Sequence, residues 1–256
     1  MKVVILAGGK GTRLSEATTV VPKPMVEIGN QPILWHIMKI YSSFGFNDFI
    51  VCLGYKGYII KEYFSHYLLH KSDVTIDLAQ GKTIIHENKT ESWRVTLVDT
   101  GLEALTAARL LAVRKYLGKH TFMMAYGDGL ANINLKKLLD SHRKSKALST
   151  VTAVQPLGRF GSLDIERNNK VKAFTEKPKG DNAWINAGFF VMEQGIFDYI
   201  HGDVLWEKEP VQALARAGKL SAYRHQGFWR PMDTLRDRNE LERLWQSGNA
   251  PWKIWK

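Results

Sequence analysis

The chain has 256 residues, 45% of them hydrophobic and 24% charged, with a formal net charge of +11. This is the composition of a globular protein with a full buried core. No apolar run reaches the roughly 18 residues that cross a bilayer, and the apolar stretch of residues 3–7 is too short for a signal-peptide core, so the expectation is a soluble, cytoplasmic protein with no membrane partner. The positive charge favours acidic partners. Basic residues are nevertheless mixed with acids, as in "RDRNELERLW", and no aromatic platform interleaves a basic run, which points to a small phosphorylated ligand rather than nucleic acid.

The first element, residues 3–6, reads as a strand apolar on both sides. It breaks into "AGGKGTRL". Neither familiar phosphate loop fits: a P-loop needs Ser or Thr directly after Gly-Lys, where Gly11 follows Lys10, and a dinucleotide fingerprint starting at Gly9 needs a glycine where Leu14 stands. The segment "ATTVVPKP" that follows is β-branched and carries two prolines, so no long helix starts there to aim its dipole at a phosphate. Anion binding then rests on backbone N–H groups of residues 8–12, reinforced by Arg13 and Lys23, a cradle suited to a triphosphate.

Residues 31–43, with Pro32 near the start and Gly45 after the end, read as a helix. Residues 49–53 form a second two-sided apolar strand and enclose Cys52, the single cysteine, read as a buried thiol. His66 and His70 share a helix face without an evident third metal ligand. Residues 72–93, charged and without helical period, read as a protruding arm. Residues 102–116 and 135–145 read as helices, and 122–126 and 149–154 as central, parallel strands. Asp128 stands between Gly127 and Gly129 just past a strand, with room for a ligand to approach. "SLDIERNNKVKAFTEKP" reads as two strands joined by a tight Asn-Asn turn. Asp233 by itself reads as the N-cap of a helix beginning near Leu235, and Trp229, Trp245, Trp252 and Trp255 read as core or subunit contacts. The alternation predicts one α/β domain over residues 1–256: a Rossmann-like, mixed, mostly parallel sheet flanked by helices, with a small β-hairpin lobe and a helical C-terminal part.

The stretch from Leu6 to Leu14, followed by Lys23-Pro24, resembles the "LAGGxGTRL…KP" signature of the sugar-1-phosphate nucleotidylyltransferases. The likeness runs along nearly the whole chain, through "KPMVEIGNQPILWHIMKIYSSFG", "VTLVDTG", "YGDG", "GRFGSLDI", "EKPKGD", "INAGFFV" and "GFWRPMDTLRD", and is greatest for members that use CTP. It implies attack of glucose 1-phosphate on the α-phosphorus of CTP, giving CDP-glucose and pyrophosphate, with Mg2+ held by Asp128 and Asp233. It further implies catalytic roles for Arg13, Lys23, Asp128 and Lys177, and nucleotide contacts from Leu6, Ala7, Gly8, Gly9, Gly11, Thr12, Arg13, Ala104, Thr106 and Arg109. The sugar phosphate falls to Gly161, Glu176, Lys177, Asn186 and Gly188, and homo-oligomers are the rule among relatives. One departure bears on the base. Where relatives carry Thr-Gly-Gly-Arg, this chain has Thr106-Ala107-Ala108-Arg109, which costs roughly 1–2 kcal/mol if either alanine needs positive φ and stabilises by up to about 1 kcal/mol per site if both are helical. That segment keeps UTP or dTTP open as the nucleotide; a catalytically silent nucleotide-sugar-binding subunit is the other alternative, against which the charged groups of the site are all present.

Overall fold

A computed structural model of the protein describes residues 1–14, 18–156, 162–166, 169–175 and 183–255. The N-terminal half runs β1 (Lys2–Leu6), β2 (Glu27–Ile28), β3 (Gln31–Pro32), α1 (Ile33–Ser42), β4 (Asp48–Leu53), α2 (Gly57–Lys71), β5 (Ser72–Asp77), β6 (Lys82–Asn88), β7 (Arg94–Asp99) and α3 (Thr106–Leu117). The rest runs β8 (Phe122–Tyr126), β9 (Gly129–Ala131), α4 (Leu135–Ser145), β10 (Ser149–Val154), β11 (Ser162–Ile165), β12 (Val171–Thr175), β13 (Ile185–Met192), α5 (Glu209–Arg216), β14 (Leu220–Arg224), β15 (Trp229–Pro231) and α6 (Leu235–Gln246).

Among the described residues the main sheet has seven strands in the order β14-β10-β13-β8-β1-β4-β7. The pairs β1/β4, β1/β8, β4/β7 and β10/β14 are parallel, whereas β13 runs antiparallel to both β8 and β10. The sheet is therefore mixed and mostly parallel, as predicted. The expectation that residues 122–126 and 149–154 lie among parallel neighbours holds on one side only of each strand.

Each central strand divides its side chains between two cores, the reason it reads as continuously apolar. Val3 and Ile5 pack with Ile33, Ile37, Ile40 and Tyr41 of α1 on one face. Val4 and Leu6 pack with Ala107, Leu110 and Val113 of α3 and with Trp206 on the other. Cys52 faces this second core, where burial pushes its thiol up to about 12.

Several element boundaries move from their predicted places. Helix α1 starts at Ile33, because Gln31 and Pro32 pair with Ile28 and Glu27 as a short ladder and Pro32 becomes the N-cap. Helix α3 starts four residues later than predicted: the Leu105 N–H donates to Asp203 Oδ1 at 2.7 Å and holds Leu105 extended. Both alanines of the altered segment lie inside α3, and neither has positive φ. The 72–93 arm is largely the exposed hairpin β5/β6. The β11/β12 hairpin is present, but its connection spans residues 166–170, with Asn169 at φ 66°; Asn168 lies outside the described residues. His66 and His70 meet edge to face, and among the described residues no group of three or more metal-ligating side chains exists. No helix of the described residues is long and apolar enough to cross a membrane.

The C-terminal tryptophans close the first core around His36. Its ring meets Trp35, Trp245 and Trp252 edge on, with centroids 5.1, 4.7 and 6.1 Å away. Nε2 donates to the Ile28 carbonyl at 2.8 Å while Nδ1 accepts from Trp252 Nε1 at 3.3 Å, the neutral tautomer. Burial lowers its pKa to about 4, against partial opposition from the Ile28 carbonyl and Glu242. In the unfolded chain the same imidazole takes a proton below about 6.5, so the stability contributed by neutral His36 is intact above that value and is lost as pH falls toward 4. Between pH 7 and pH 5 the loss should be on the order of 2 kcal/mol. Denaturant titrations at both pH values test this: His36→Gln should be less stable at pH 7 yet show a smaller drop on acidification, and an undiminished drop would exonerate His36.

Candidate active site

The glycine loop leaves β1 at the carboxyl edge of the parallel strands, the place where open α/β sheets bind ligands. The loop is held from both neighbouring strands. Ala7 N donates to Cys52 O at 3.0 Å and Tyr55 N to Gly8 O at 3.1 Å, while Gly127 N donates to Leu6 O at 3.1 Å. Gly11 has φ 63° and lies so close to Thr18 that a Cβ would sit 2.9 Å from its methyl carbon. The Thr18 hydroxyl bonds Gly11 O and Leu14 O at 3.1 and 3.0 Å, clasping a single 3-10 turn at Thr12–Leu14.

Arg109 holds the loop from beneath. Only 4% exposed, it donates from Nη1 to Leu53 O (3.0 Å), Thr100 Oγ1 (2.7 Å) and Gly101 O (2.9 Å), and from Nη2 to Gly8 O (3.0 Å) and Leu102 O (3.3 Å). One guanidinium thereby ties together the glycine loop, the end of β4 and the segment after β7. Gly8 is required by this clamp: a Cβ there would stand 2.2 Å from Arg109 Nη1. The resemblance places Arg109 at the nucleotide; the structure places it in the cleft wall with these donors engaged by protein oxygens.

The two predicted aspartates come together through a strand pair that sequence reasoning missed. Strand β15 lies antiparallel to β9, with Pro231 opposite Gly129 and Trp229 opposite Ala131. Met232 N continues the ladder to Asp128 O at 2.8 Å, so Asp233 is delivered beside Asp128 although 105 residues separate them. The N-cap role expected of Asp233 belongs to its neighbour. Thr234 accepts from Asp237 N, and Asp237 accepts from Thr234 N in return, a full capping box for α6. Asp233 faces Lys23 instead.

Lys23 Nζ lies 2.6 Å from Asp128 Oδ2 and 2.7 Å from Asp233 Oδ1, with the three side chains 12%, 30% and 20% exposed. Its backbone is set by prolines on both sides: Pro22 caps the 3-10 turn Lys23–Met25, and Pro24 is buried within it. Burial alone would lower the pKa of Lys23, but the two carboxylates outweigh it and hold the value above that of an ordinary lysine. Two carboxylate oxygens aimed at one cationic atom form a hard-oxygen site, and here an ammonium stands in it.

The loop, Arg109, Lys23 and Asp128 line a cleft of about 440 Å³, within the range of small-molecule sites, and Asp233 meets it through Lys23. It gathers Leu6, Ala7, Gly8, Gly9, Gly11, Thr12, Lys23, Ala104, Thr106, Arg109 and Asp128 of the predicted residues. Asn186 joins it through Nδ2, which donates to Tyr126 Oη at 3.0 Å, and its Oδ1 accepts from Gly188 N at 2.8 Å. Gly161, Glu176, Lys177 and the Arg13 side chain lie outside what the structure describes. The cleft also contains Leu105, Tyr126, Leu205 and Glu207, which sequence reasoning missed. Tyr126 was legible only as the last residue of a strand, and the segment bearing Leu205 and Glu207 carries no motif.

A family model for nucleotidyl transferases matches residues 2–229. The glucose-1-phosphate cytidylyltransferase of Salmonella typhimurium is 55% identical to this chain, and a probable glucose-1-phosphate cytidylyltransferase of Bacillus subtilis is 46% identical; each alignment covers 100% of both chains. Among solved structures, HddC from Yersinia pseudotuberculosis superposes with a TM-score of 0.70 at 24% identity, covering 95% of this chain and 99% of that one. UDP-glucose pyrophosphorylase complexed with UDP-glucose gives 0.68 at 16%, covering 96% and 98%. The two structures speak to the fold alone.

The clamp makes a prediction about a methyl group. Gly8→Ala should push Arg109 off Gly8 O, destabilising the fold by about 1–3 kcal/mol as other overpacked sites do and weakening nucleoside triphosphate binding in calorimetry. A variant with unchanged melting temperature and affinity would show that the guanidinium does not need this approach.

Proposed function

Because the chain belongs to the nucleotidyl transferase family, we propose that it transfers the cytidylyl group of CTP to α-D-glucose 1-phosphate, giving CDP-glucose and pyrophosphate. The observation that carries the reading is the convergence of Asp128 and Asp233 on Lys23, which lines one cleft together with Asp128 and the glycine loop. Full-length identity of 55% to a cytidylyltransferase supports the choice of base. Ala107 and Ala108 are helical, so the departure at these positions supplies no backbone strain in favour of UTP or dTTP.

In the proposed reaction a phosphate oxygen of the sugar phosphate bonds to the α-phosphorus. The bond from that phosphorus to the bridging oxygen breaks, and its electron pair leaves with pyrophosphate. Both reactants are anions, so the protein's work is to hold them in line and compensate charge. Main-chain amides of the loop and Arg13 receive the β- and γ-phosphates, and Lys23 serves the phosphates at the reacting centre. Lys177 and Glu176 receive the sugar phosphate and its hydroxyls, with Asn186, Gly188 and Gly161 completing that end.

Asp128 and Asp233 fit Mg2+, since both offer hard carboxylate oxygens at one point and two such ligands leave the remaining positions to water and phosphate. Bound there, the ion would supply positive charge to offset that of the phosphates. The ammonium of Lys23 occupies that same focus in this structure, which fits a site built to balance two negative charges with a cation.

Pyrophosphate release measured with glucose 1-phosphate, Mg2+ and each nucleoside triphosphate in turn tests the reading: CTP should be fastest, and a faster rate with UTP would overturn the base assignment. Asp128→Asn and Asp233→Asn should each abolish most turnover while the fold survives, and Arg13→Ala should cost on the order of 10²–10³ in kcat. Wild-type kinetics in either aspartate variant would remove the carboxylate pair from the mechanism.

A further inference from the structure

Glu207 sits in the wall of the cleft, on the segment that leads into α5. Its carboxylate is the meeting point of a directional hydrogen-bond chain. The Thr106 hydroxyl accepts from Trp206 N at 2.7 Å and donates to Glu207 Oε2 at 2.8 Å. From the other side, the Tyr126 hydroxyl accepts from Asn186 Nδ2 and donates to Glu207 Oε1. Every donor in the chain is oriented toward the carboxylate. Burial and then the charge of Glu207 push the Tyr126 phenol far above its ordinary range, so it remains a donor.

Two properties show that this carboxylate is more than a tie between two hydroxyls. It is exposed within the cleft, and a carboxylate offers about four acceptor positions, of which the chain occupies two. It is also negative in a cleft meant for anions, so phosphate is excluded as its partner and the neutral, hydroxyl-bearing parts of the ligands remain. Its place suits them. Thr106 lies next to the Ala104–Leu105 wall, and Tyr126 lies two residues before Asp128, so Glu207 stands between the nucleotide end and the reaction centre.

We propose that Glu207 is a substrate-recognition residue whose carboxylate, aimed by Tyr126 and Thr106, accepts hydrogen bonds from sugar-ring hydroxyls of the bound ligands. This rests on the proposed reaction. The hydroxyls can come from the hexose of the sugar phosphate or from the ribose of the nucleotide, and the test separates these sources. The unmodified protein and Glu207→Gln are assayed with glucose 1-phosphate and CTP, then with each monodeoxyglucose 1-phosphate, and then with 2′-deoxy- and 3′-deoxy-CTP. Glu207→Gln should lower kcat/KM by about tenfold or more, the effect of one hydrogen bond to a charged acceptor. With the analogue lacking the recognised hydroxyl, that penalty should vanish.

Loss of the penalty on a deoxyhexose assigns the hexose, and loss on a deoxynucleotide assigns the ribose. Tyr126→Phe, which keeps the ring and removes the hydroxyl that aims the carboxylate, should show a smaller penalty that vanishes on the same analogue. An equal penalty on every analogue, or none at all, would overturn the assignment while the reaction stands. Absence of pyrophosphate release by the unmodified protein would overturn the reaction itself and this inference with it.

Discussion

Two carboxylates brought together in a half-buried cleft repel each other and are costly to desolvate unless a cation lies between them. Lys23 meets that condition here, and much of the surrounding structure can be understood as the means of keeping the three groups in register. The prolines on either side of Lys23 fix its backbone. The β9/β15 ladder and its extension from Met232 N to Asp128 O fix the separation of the acids. The capping box at Thr234 and Asp237 starts α6 immediately after Asp233, which anchors that carboxylate from the C-terminal side. Each device acts on the backbone, so the side chains inherit their positions rather than finding them individually.

The second constraint is the buried guanidinium of Arg109. A charge only 4% exposed is tolerable because five protein oxygens surround it, and these come from the glycine loop, the end of β4 and the segment after β7. The glycine loop therefore does not float at the end of β1. It is drawn down at Gly8 O by Arg109 and Tyr55 N, and clasped further on by Thr18. A nest of amides binds an anion only if the amides are already oriented, and the clamp is what orients them.

How much of this could be read from the chain depends on how local the signal is. The central strands were legible because each is buried on both faces and so appears as an unbroken apolar run. The glycine loop was legible because an apolar strand breaks into closely spaced glycines followed by Arg13 and Lys23. The start of α3 was misplaced: residues 102–105 have the composition of a helix, and the carboxylate that stops them, Asp203, lies nearly a hundred positions away. The β9/β15 pair is three residues long, too short for any periodicity, which is why Asp233 by itself resembled an ordinary helix cap. Arg109 came to notice through the resemblance alone, because the oxygens it meets lie on segments that no local pattern brings together. Glu207 sits among other charged residues in "LWEKEP", and only the hydroxyls of Thr106 and Tyr126 single it out.

The reversed strand β13 explains why the two ends of the cleft meet at all. The register of β13 against β8 places Phe189 beside Ala125, and because the strands are antiparallel, the beginning of β13 lies at the same edge as the end of β8. Asn186 therefore arrives next to Tyr126 and, through it, near Asp128. A parallel strand in that position would begin at the opposite edge and leave Asn186 remote from the loop. The register of β13 against β10 also slips between Val151 and Ala153, where Gly188 takes φ 80°, the kind of irregularity that redirects a side chain beside a functional site. Reversal delivers the strand to the cleft, and the slip turns Asn186 so that its amide donates to Tyr126 while its carbonyl accepts from Gly188. The order of hydrogen bonds leading to Glu207 thus begins in the topology of the sheet.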